Sequence, residues 1–533
     1  MHFNSLFAKT SIHTKHVLIQ RSLYHHTAKR EILPLLGIAT VALIGRYSYR
    51  ALVRMDEEWE DYQEALKRFQ DLSANTSHDG TVGIDMGSLN LRLAHFQKNV
   101  PVVIENHEGS RYSPGFIVFD DTSNSNDSIL IGTMAKNKFY ERAMYKNMTQ
   151  VRCIRDQLSS SNNNTTNDDV LSNDDELAIQ KSTYYFLFSN LSNALEKITG
   201  IKHFSAVPNE QNPLFSIDSD ATNKYNARPI FTYNPSMSKI AKVRYQLISE
   251  SLCSPPSMAA FVPEPVAAAM GAKDLNILSS ISSGSSPIAI LDIGGHILSL
   301  SILEPASGAF KIIHHISIPE VAGHALQNAF AHLLQEQFCQ RRNNSDTSPP
   351  PVLDGMAMQR IHEASEVAIM ELSRKTRANV NIPYLSIDSK TMQPKHLETE
   401  ISREVLKKEM DYFISNHFEN DTTFPSSLNA SINNVSSLIT SIFFNSMEQA
   451  KLNPFALDKV LLIGGGARSP IFQQSVREGL VALGGEAFAD DKLVIPEEGI
   501  MEELVVLGAA ICGKDGNEAN YNYEIGQEWS SSK

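Results

Sequence analysis

Two stretches of the chain set an acid beside glycines in the same order. Ile84-Asp-Met-Gly-Ser-Leu-Asn-Leu-Arg-Leu93 and Leu291-Asp-Ile-Gly-Gly-His-Ile-Leu-Ser-Leu300 each pass from an apolar strand through Asp-x-Gly into a second, alternating strand. Such turns suit phosphate, because glycine lets backbone N–H groups approach anionic oxygens closely. In Gly83–Ser88 the approach falls to Gly87, and Ser88 adds a hydroxyl donor; in Asp292–Gly295 it falls to Gly294 and Gly295. Asp85 and Asp292 sit at strand ends, where carboxylates can hold the water shell of Mg²⁺, an ion that dehydrates reluctantly. Alone, each motif is also an ordinary hairpin with Asp-Gly turn chemistry. Two copies far apart in one chain imply two related lobes facing each other.

Two more segments carry compatible chemistry. In Val460-Leu-Leu-Ile-Gly-Gly-Gly-Ala-Arg-Ser-Pro470 an apolar strand meets Gly464, Gly465 and Gly466, then Ser469 at a helix cap with Pro470 at the first helical position. The glycines leave room for a flat group, and Arg468 can stack on an adenine face. In Phe261-Val-Pro-Glu-Pro-Val-Ala-Ala-Ala269 a buried strand ends at Glu264, just before a small-residue helix. That carboxylate can cap the helix, or join Asp85 and Asp292 in orienting an attacking water.

In this order the four elements resemble the nucleotide-binding domain of the Hsp70 chaperones, over roughly residues 81–513. Glu108-Gly-Ser-Arg-Tyr-Ser-Pro-Gly-Phe-Ile-Val-Phe119, Glu366-Val-Ala-Ile-Met-Glu-Leu-Ser373 and Gly508-Ala-Ala-Ile511 are similar to further family segments. The resemblance implies an α/β, actin-like, two-lobed ATPase fold that takes ATP/ADP and Mg²⁺. It puts Asp85, Gly87 and Ser88 on the first phosphate loop, and Asp292, Gly294 and Gly295 on the second. Glu264 falls on the catalytic carboxylate. Gly464, Gly465, Gly466 and Arg468 fall on the adenosine loop, Glu366 and Ser373 on the ribose and adenine helix. Metal-holding duty is implied for Asp85, Glu264 and Asp292, and a J-protein or nucleotide-exchange factor is the implied partner.

The departures are as informative. The family's second loop reads Asp-x-Gly-Gly-Gly-Thr with an Asp further on, whereas here His296, Ile297 and Ser299 occupy the last glycine, the hydroxyl and the acid. The catalytic lysine falls on Val151, a Lys-Arg pair falls on Ile369 and Met370, and the Gly-Gly-Glu-Asp segment reads Ala322-Gly-His-Ala325. Phosphoryl transfer depends on positioning and electrostatics. Each lost donor removes about 3 kcal/mol of transition-state stabilisation, roughly a hundredfold in rate. The expectation is therefore nucleotide binding with one of two chemistries: a slow Hsp70-type ATPase, or a nucleotide-sensing scaffold with little hydrolysis. A sugar or acetate kinase of the same actin-like superfamily is a third reading. The resemblance is to stand-alone ATPase-domain members, expected to lack the family's acidic leucine-rich linker and β-sandwich domain.

The elements that must position these residues occupy 79–515 of the 533 residues. Apolar content of 42% and charged content of 20% suit a folded chain of this length. A net charge of −13 argues against general nucleic-acid binding. Cys153, Cys253, Cys339 and Cys512 are scattered, without the spacing of a zinc or disulfide framework. Residues 1–30 carry Lys9, Lys15, Arg21, Lys29 and Arg30 with no acid, a composition like a mitochondrial targeting segment. Residues 31–54 hold the apolar run Ile32–Gly45, short of the ~20 residues of a comfortable span but extendable through Tyr47, Tyr49 and Leu52. A membrane anchor is expected there, against a secretory signal or a buried helix. Gly37–Leu52 also resembles the membrane span of the J-protein subunit of the mitochondrial import motor, which implies the inner membrane with the main domain in the matrix. Asn147, Asn190 and Asn434 begin Asn-x-Ser/Thr triplets, which keep the endoplasmic reticulum membrane open as the alternative. Residues 55–78 read as a charged helical linker, with Trp59, Tyr62, Leu66 and Phe69 near helical spacing, and 516–533 as a polar tail.

Overall fold

The computed structural model describes residues 81–97, 100–120, 129–140, 148–152, 228–252, 259–278, 286–306, 309–340, 353–387, 392–420 and 432–514, with separate helical positions between 183 and 197. The chain divides into Met1–Ser77 and His78–Lys533, and all described residues belong to the second unit. The expected targeting segment, anchor, linker and tail lie outside the described residues, as does the bulk of three stretches rich in Ser, Asn, Asp and Pro, 159–176, 279–286 and 340–351. Among the described residues no helix is long and apolar enough to cross a membrane.

The duplicated motif marks duplicated architecture. In the first lobe β1 (Thr81–Met86), β2 (Asn90–Gln97) and β3 (Val100–Val103) form an antiparallel meander. The short β4 (Ser113–Pro114) pairs with β2. On the other side of β1, β8 (Arg228–Tyr233) and β9 (Ala260–Pro263) run parallel, giving the order β3-β2-β1-β8-β9. In the second lobe β12 (Ala309–Pro319), β11 (Ile297–Ala306) and β10 (Ile288–Ile293) repeat the meander. There β15 (Val460–Ile463) and β16 (Leu493–Val494) supply the parallel pair, in the order β12-β11-β10-β15-β16. The central strands are apolar on both faces because helices cover both sides.

A satellite layer sits on each lobe. In the first, β5 (Phe116–Asp120), β6 (Ile129–Ile131) and β7 (Met148–Arg152) form a small sheet beside α1 (Gly132–Tyr140). In the second, the hairpin β13 (Arg377–Ile387) and β14 (Pro394–Ser402) adjoins α5 (Gly355–Arg374). Around the main sheets lie α2 (Lys239–Ser251), α4 (Gly323–Gln340), α6 (Arg403–Asn420), α7 (Val435–Gln449), α8 (Pro470–Gly484) and α9 (Glu486–Lys492).

The lobes meet through two helices. α3 (Glu264–Asp274) follows β9 and α10 (Ile500–Lys514) follows β16. They pack backbone to backbone at glycines: a methyl group on Gly271 would lie 2.6 Å from the Leu504 carbonyl oxygen. The core beneath them joins Val266–Ala269 of α3, Ala509 of α10 and apolar residues of both sheets.

Two of the three Asn-x-Ser/Thr triplets begin at asparagines whose side chains are engaged in the fold. Asn190 is buried, accepts from Ser113 and donates to the Phe186 carbonyl. Asn434 caps α7 in a reciprocal capping box with Ser437.

Candidate functional site

The residues singled out in the sequence line one cleft of about 320 Å³ between the lobes. Asp85 is the next-to-last residue of β1, and Asp292 holds the same place on β10. Across each hairpin the register pairs Asp85 with Arg92 and Asp292 with Ser299. Asp85 is 7% exposed, and Thr232 on β8 donates to its Oδ1 at 3.1 Å. The following turns are tight in both copies. A Cβ on Gly87 would stand 2.9 Å from the Asn90 carbonyl, and one on Gly294 3.1 Å from the Ile297 carbonyl. Ser88 is 5% exposed, and it lines the cleft together with Gly295 of the other hairpin's turn.

The second hairpin is braced from behind. Gly323 and His324, at the start of α4, donate to the Gly294 and Gly295 carbonyls at 3.1 and 2.7 Å. The His296 and His324 rings stack with centroids 4.6 Å apart. His296 thus fills space where the family pattern has a glycine.

The third loop wraps the second. Gly464 has φ +96°, and any Cβ there would meet Asp292 Oδ1 at 2.2 Å, so only glycine fits. Gly465 and Gly466 continue along the cleft, Gly466 against the Ile293 and Gly294 carbonyls. Ser469 stands at the cap of α8 with Pro470 behind it, as the sequence implies, but its side chain makes no capping bond. Arg468 is held by Glu498 at 2.6 Å and Glu502 at 2.9 Å. Burial works to lower its pKa, but these two carboxylates prevail and raise it above the ordinary arginine value.

Glu264 is the first residue of α3, 7% exposed in the cleft. Glu366 and Ser373 project from α5 along the opposite wall. Glu366 pairs with Lys136 of α1 at 2.5 Å, and the Ser373 hydroxyl donates to the Met370 carbonyl of its own helix at 2.7 Å. Ile369 and Met370 make this wall apolar where the family pattern is cationic. Val151 lies on β7, paired in register with Ile117.

Among the described residues no group of three or more His, Cys, Asp or Glu stands close enough to grip a metal ion directly. The three carboxylates Asp85, Glu264 and Asp292 nonetheless line the same cleft. Carboxylates set around a cleft in this way are of the kind that can hold an ion such as Mg²⁺ through its water shell.

Sequence reasoning missed several lining residues. Arg92, on β2, pairs with Glu502 of α10 and lies 5.6 Å from the Tyr112 ring centroid. Its one available signal was its place across the hairpin from Asp85. Leu89, Lys136 and Asn234 carried none.

Two sheets of matched order, joined by crossing helices around a cleft floored by acidic, glycine-rich hairpins, define the duplicated α/β class to which actin-like nucleotide-binding proteins belong. A family model described as Hsp70 protein matches residues 81–166 and 259–511, which span both lobes. The chain belongs to the Hsp70 family. It is similar to a chaperone protein dnaK of Thalassiosira pseudonana, 25% identical over 435 residues that cover 81% of this chain and 61% of the relative. The chain thus spans about 61% of the length of that relative.

Proposed function

We propose that the cleft binds an adenine nucleotide with hydrated Mg²⁺ and that the protein is a slow ATPase of Hsp70 type assisting protein folding or import. The observation that carries this reading is convergence. Residues from β1, α3, β10 and α5, and from the turns that follow β1, β10 and β15, line one cleft between the lobes of an Hsp70-family chain. Gly87, Ser88, Gly294 and Gly295 would cradle phosphate. Asp85, Asp292 and Glu264 would hold the ion's waters and orient the attacking one. Glu366, Ser373 and the Gly464–Arg468 loop would take the nucleoside. Bound Mg²⁺ would neutralise charge on the phosphate oxygens. A J-protein or nucleotide-exchange factor as partner follows from the family. Residues 31–54 would anchor the protein in a membrane, the mitochondrial inner membrane being favoured by the basic, acid-free residues 1–30.

A second reading, a nucleotide sensor with little hydrolysis, is favoured by the cleft's charge. Arg92, Lys136 and Arg468, three cations that line it, are each paired with carboxylates. Ser299 and Ile297 also stand where the family pattern has an acid and a hydroxyl. Calorimetry and single-turnover hydrolysis on the full chain separate the two. Mg-ATP binding with turnover abolished by Asp292→Ala supports the ATPase. Binding without turnover supports the sensor, and absence of binding sinks both. Fluorescence of a tagged chain in the secretory pathway would overturn the mitochondrial assignment.

A further inference from the structure

The two phosphate hairpins touch through one apolar side chain. Leu89 ends the first turn, and its carbonyl is pinned by the Gly115 amide at 2.7 Å. Its side chain reaches the opposite hairpin and rests on the α-carbon of Gly295. A methyl group built there would meet Leu89 Cγ at 2.4 Å and Cδ1 at 2.5 Å. Gly295 cannot yield alone, because His324 holds its carbonyl and Gly323 that of Gly294. By the hairpins' own repeat, Leu89 is the counterpart of His296 and Gly295 the counterpart of Ser88. The contact is therefore asymmetric: one tip supplies a bulky apolar group, the other the bare backbone that receives it.

The position of this contact matters for ligand choice. On the nucleotide reading, base and ribose would lie beside the Gly464–Arg468 loop, and the phosphate chain would extend along the hairpin turns. Its last group arrives where Leu89 sits on Gly295. A phosphate there needs backbone donors and water, and a leucine side chain supplies neither. To admit that group the side chain must swing away or the lobes must part, and either motion loses the apolar contact.

We propose that Leu89 is an apolar latch between the hairpins that selects ligand by phosphate length, favouring adenosine diphosphate over the triphosphate. The inference rests on the nucleotide reading above. The test is calorimetric titration of the full chain with Mg-ADP and Mg-ATP, for wild type, Leu89→Ala and Leu89→Met. Wild type should bind ADP about tenfold more tightly than ATP, the scale of a leucine contact partly lost. Leu89→Ala should raise ATP affinity by about tenfold with ADP moved less than about twofold, and Leu89→Met should behave like wild type. Equal affinities in wild type, or an ATP-to-ADP ratio unmoved by Leu89→Ala, overturns the latch while leaving nucleotide binding intact. Failure of every form to bind either nucleotide overturns the nucleotide reading itself. Amide exchange in the ligand-free protein gives a second readout: residues 294–296 should exchange faster in Leu89→Ala, and unchanged exchange also overturns the latch.

Discussion

His315 shows how a single side chain ties one lobe to the other. The β11/β12 register sets it opposite Ser301, whose Oγ lies 2.7 Å from Nδ1, while Nε2 lies 3.0 Å from Ser317 Oγ. Ser317 in turn donates to Asn234 Oδ1 of the first lobe at 3.4 Å. A neutral imidazole offers one donor and one acceptor, and two hydroxyls can serve both. Burial, then the neighbouring His314 and Lys242, push the His315 pKa down to about 3. The unfolded chain, with an ordinary histidine near 6.5, therefore binds the extra proton between those values. Stability is unaffected above pH 6.5 and falls as pH drops toward 3, by at most about 1.4 kcal/mol per unit. His315→Gln should flatten the stability–pH curve over that window relative to wild type, as measured by urea unfolding at stepped pH. Parallel curves would refute the assignment. None of this was legible in the sequence, where His314-His315 is an unremarkable pair on a strand. His296, Ile297 and Ser299 were legible, because a repeated motif makes its own departures visible. Arg92 and Glu502 were not: their partnership spans 410 positions, and no local pattern encodes it.

At the scale of elements, the crossing of α3 and α10 sets the site. A Cβ on Gly508 would lie 1.7 Å from the Ala267 carbonyl oxygen, and one on Gly83 of β1 2.6 Å from the Ala510 amide. These obstacles are backbone atoms, so no side chain can turn aside. Gly508→Ala must push the helices apart and with them Glu264, at the start of α3, and Glu502, near the start of α10. Overpacking of a close-packed contact costs about 1–3 kcal/mol, with the upper end expected for a backbone clash. Guanidinium unfolding should show that loss, and nucleotide affinity should fall in the same variant; an unchanged midpoint would refute it. The sequence displayed the small residues Ala267–Ala269 and Gly508-Ala-Ala, which announce close approach but not the partner. The duplicated hairpins and the β15 turn were legible because Asp, Gly and strand alternation are local signals. β8 was not. It lies between the two segments matched by the family model, carries no motif, and owes its place to parallel pairing of Thr81–Ile84 with Arg228–Phe231.

For the whole molecule, the cleft is closed at its rim by a charge pair as well as at its floor by Leu89. Lys136 of α1 belongs to the satellite layer of the first lobe and Glu366 of α5 to that of the second, and their 2.5 Å contact spans the cleft between them. Both side chains are partly exposed, at 25% and 38%. Water and salt screen such a pair, which limits it to about 0.2–1 kcal/mol. That is too little to hold the fold and enough to change how often the cleft opens, since about 1 kcal/mol is roughly fivefold in an equilibrium. Glu366 is also among the groups proposed to take the nucleoside, so breaking the pair has two opposing effects: it frees a ligand group and loosens the rim. Equilibrium affinity should change little, while exchange quickens. Lys136→Ala should therefore raise the dissociation rate of a fluorescent adenine nucleotide by about two- to fivefold in stopped flow at low salt. Raising salt from about 0.05 to 0.5 M should speed release from wild type toward the variant's rate and leave the variant nearly unmoved, because screening removes the interaction that the substitution has already removed. A variant that releases nucleotide at the wild-type rate, or keeps the full salt response, would show that the two satellite layers do not gate the cleft through this pair.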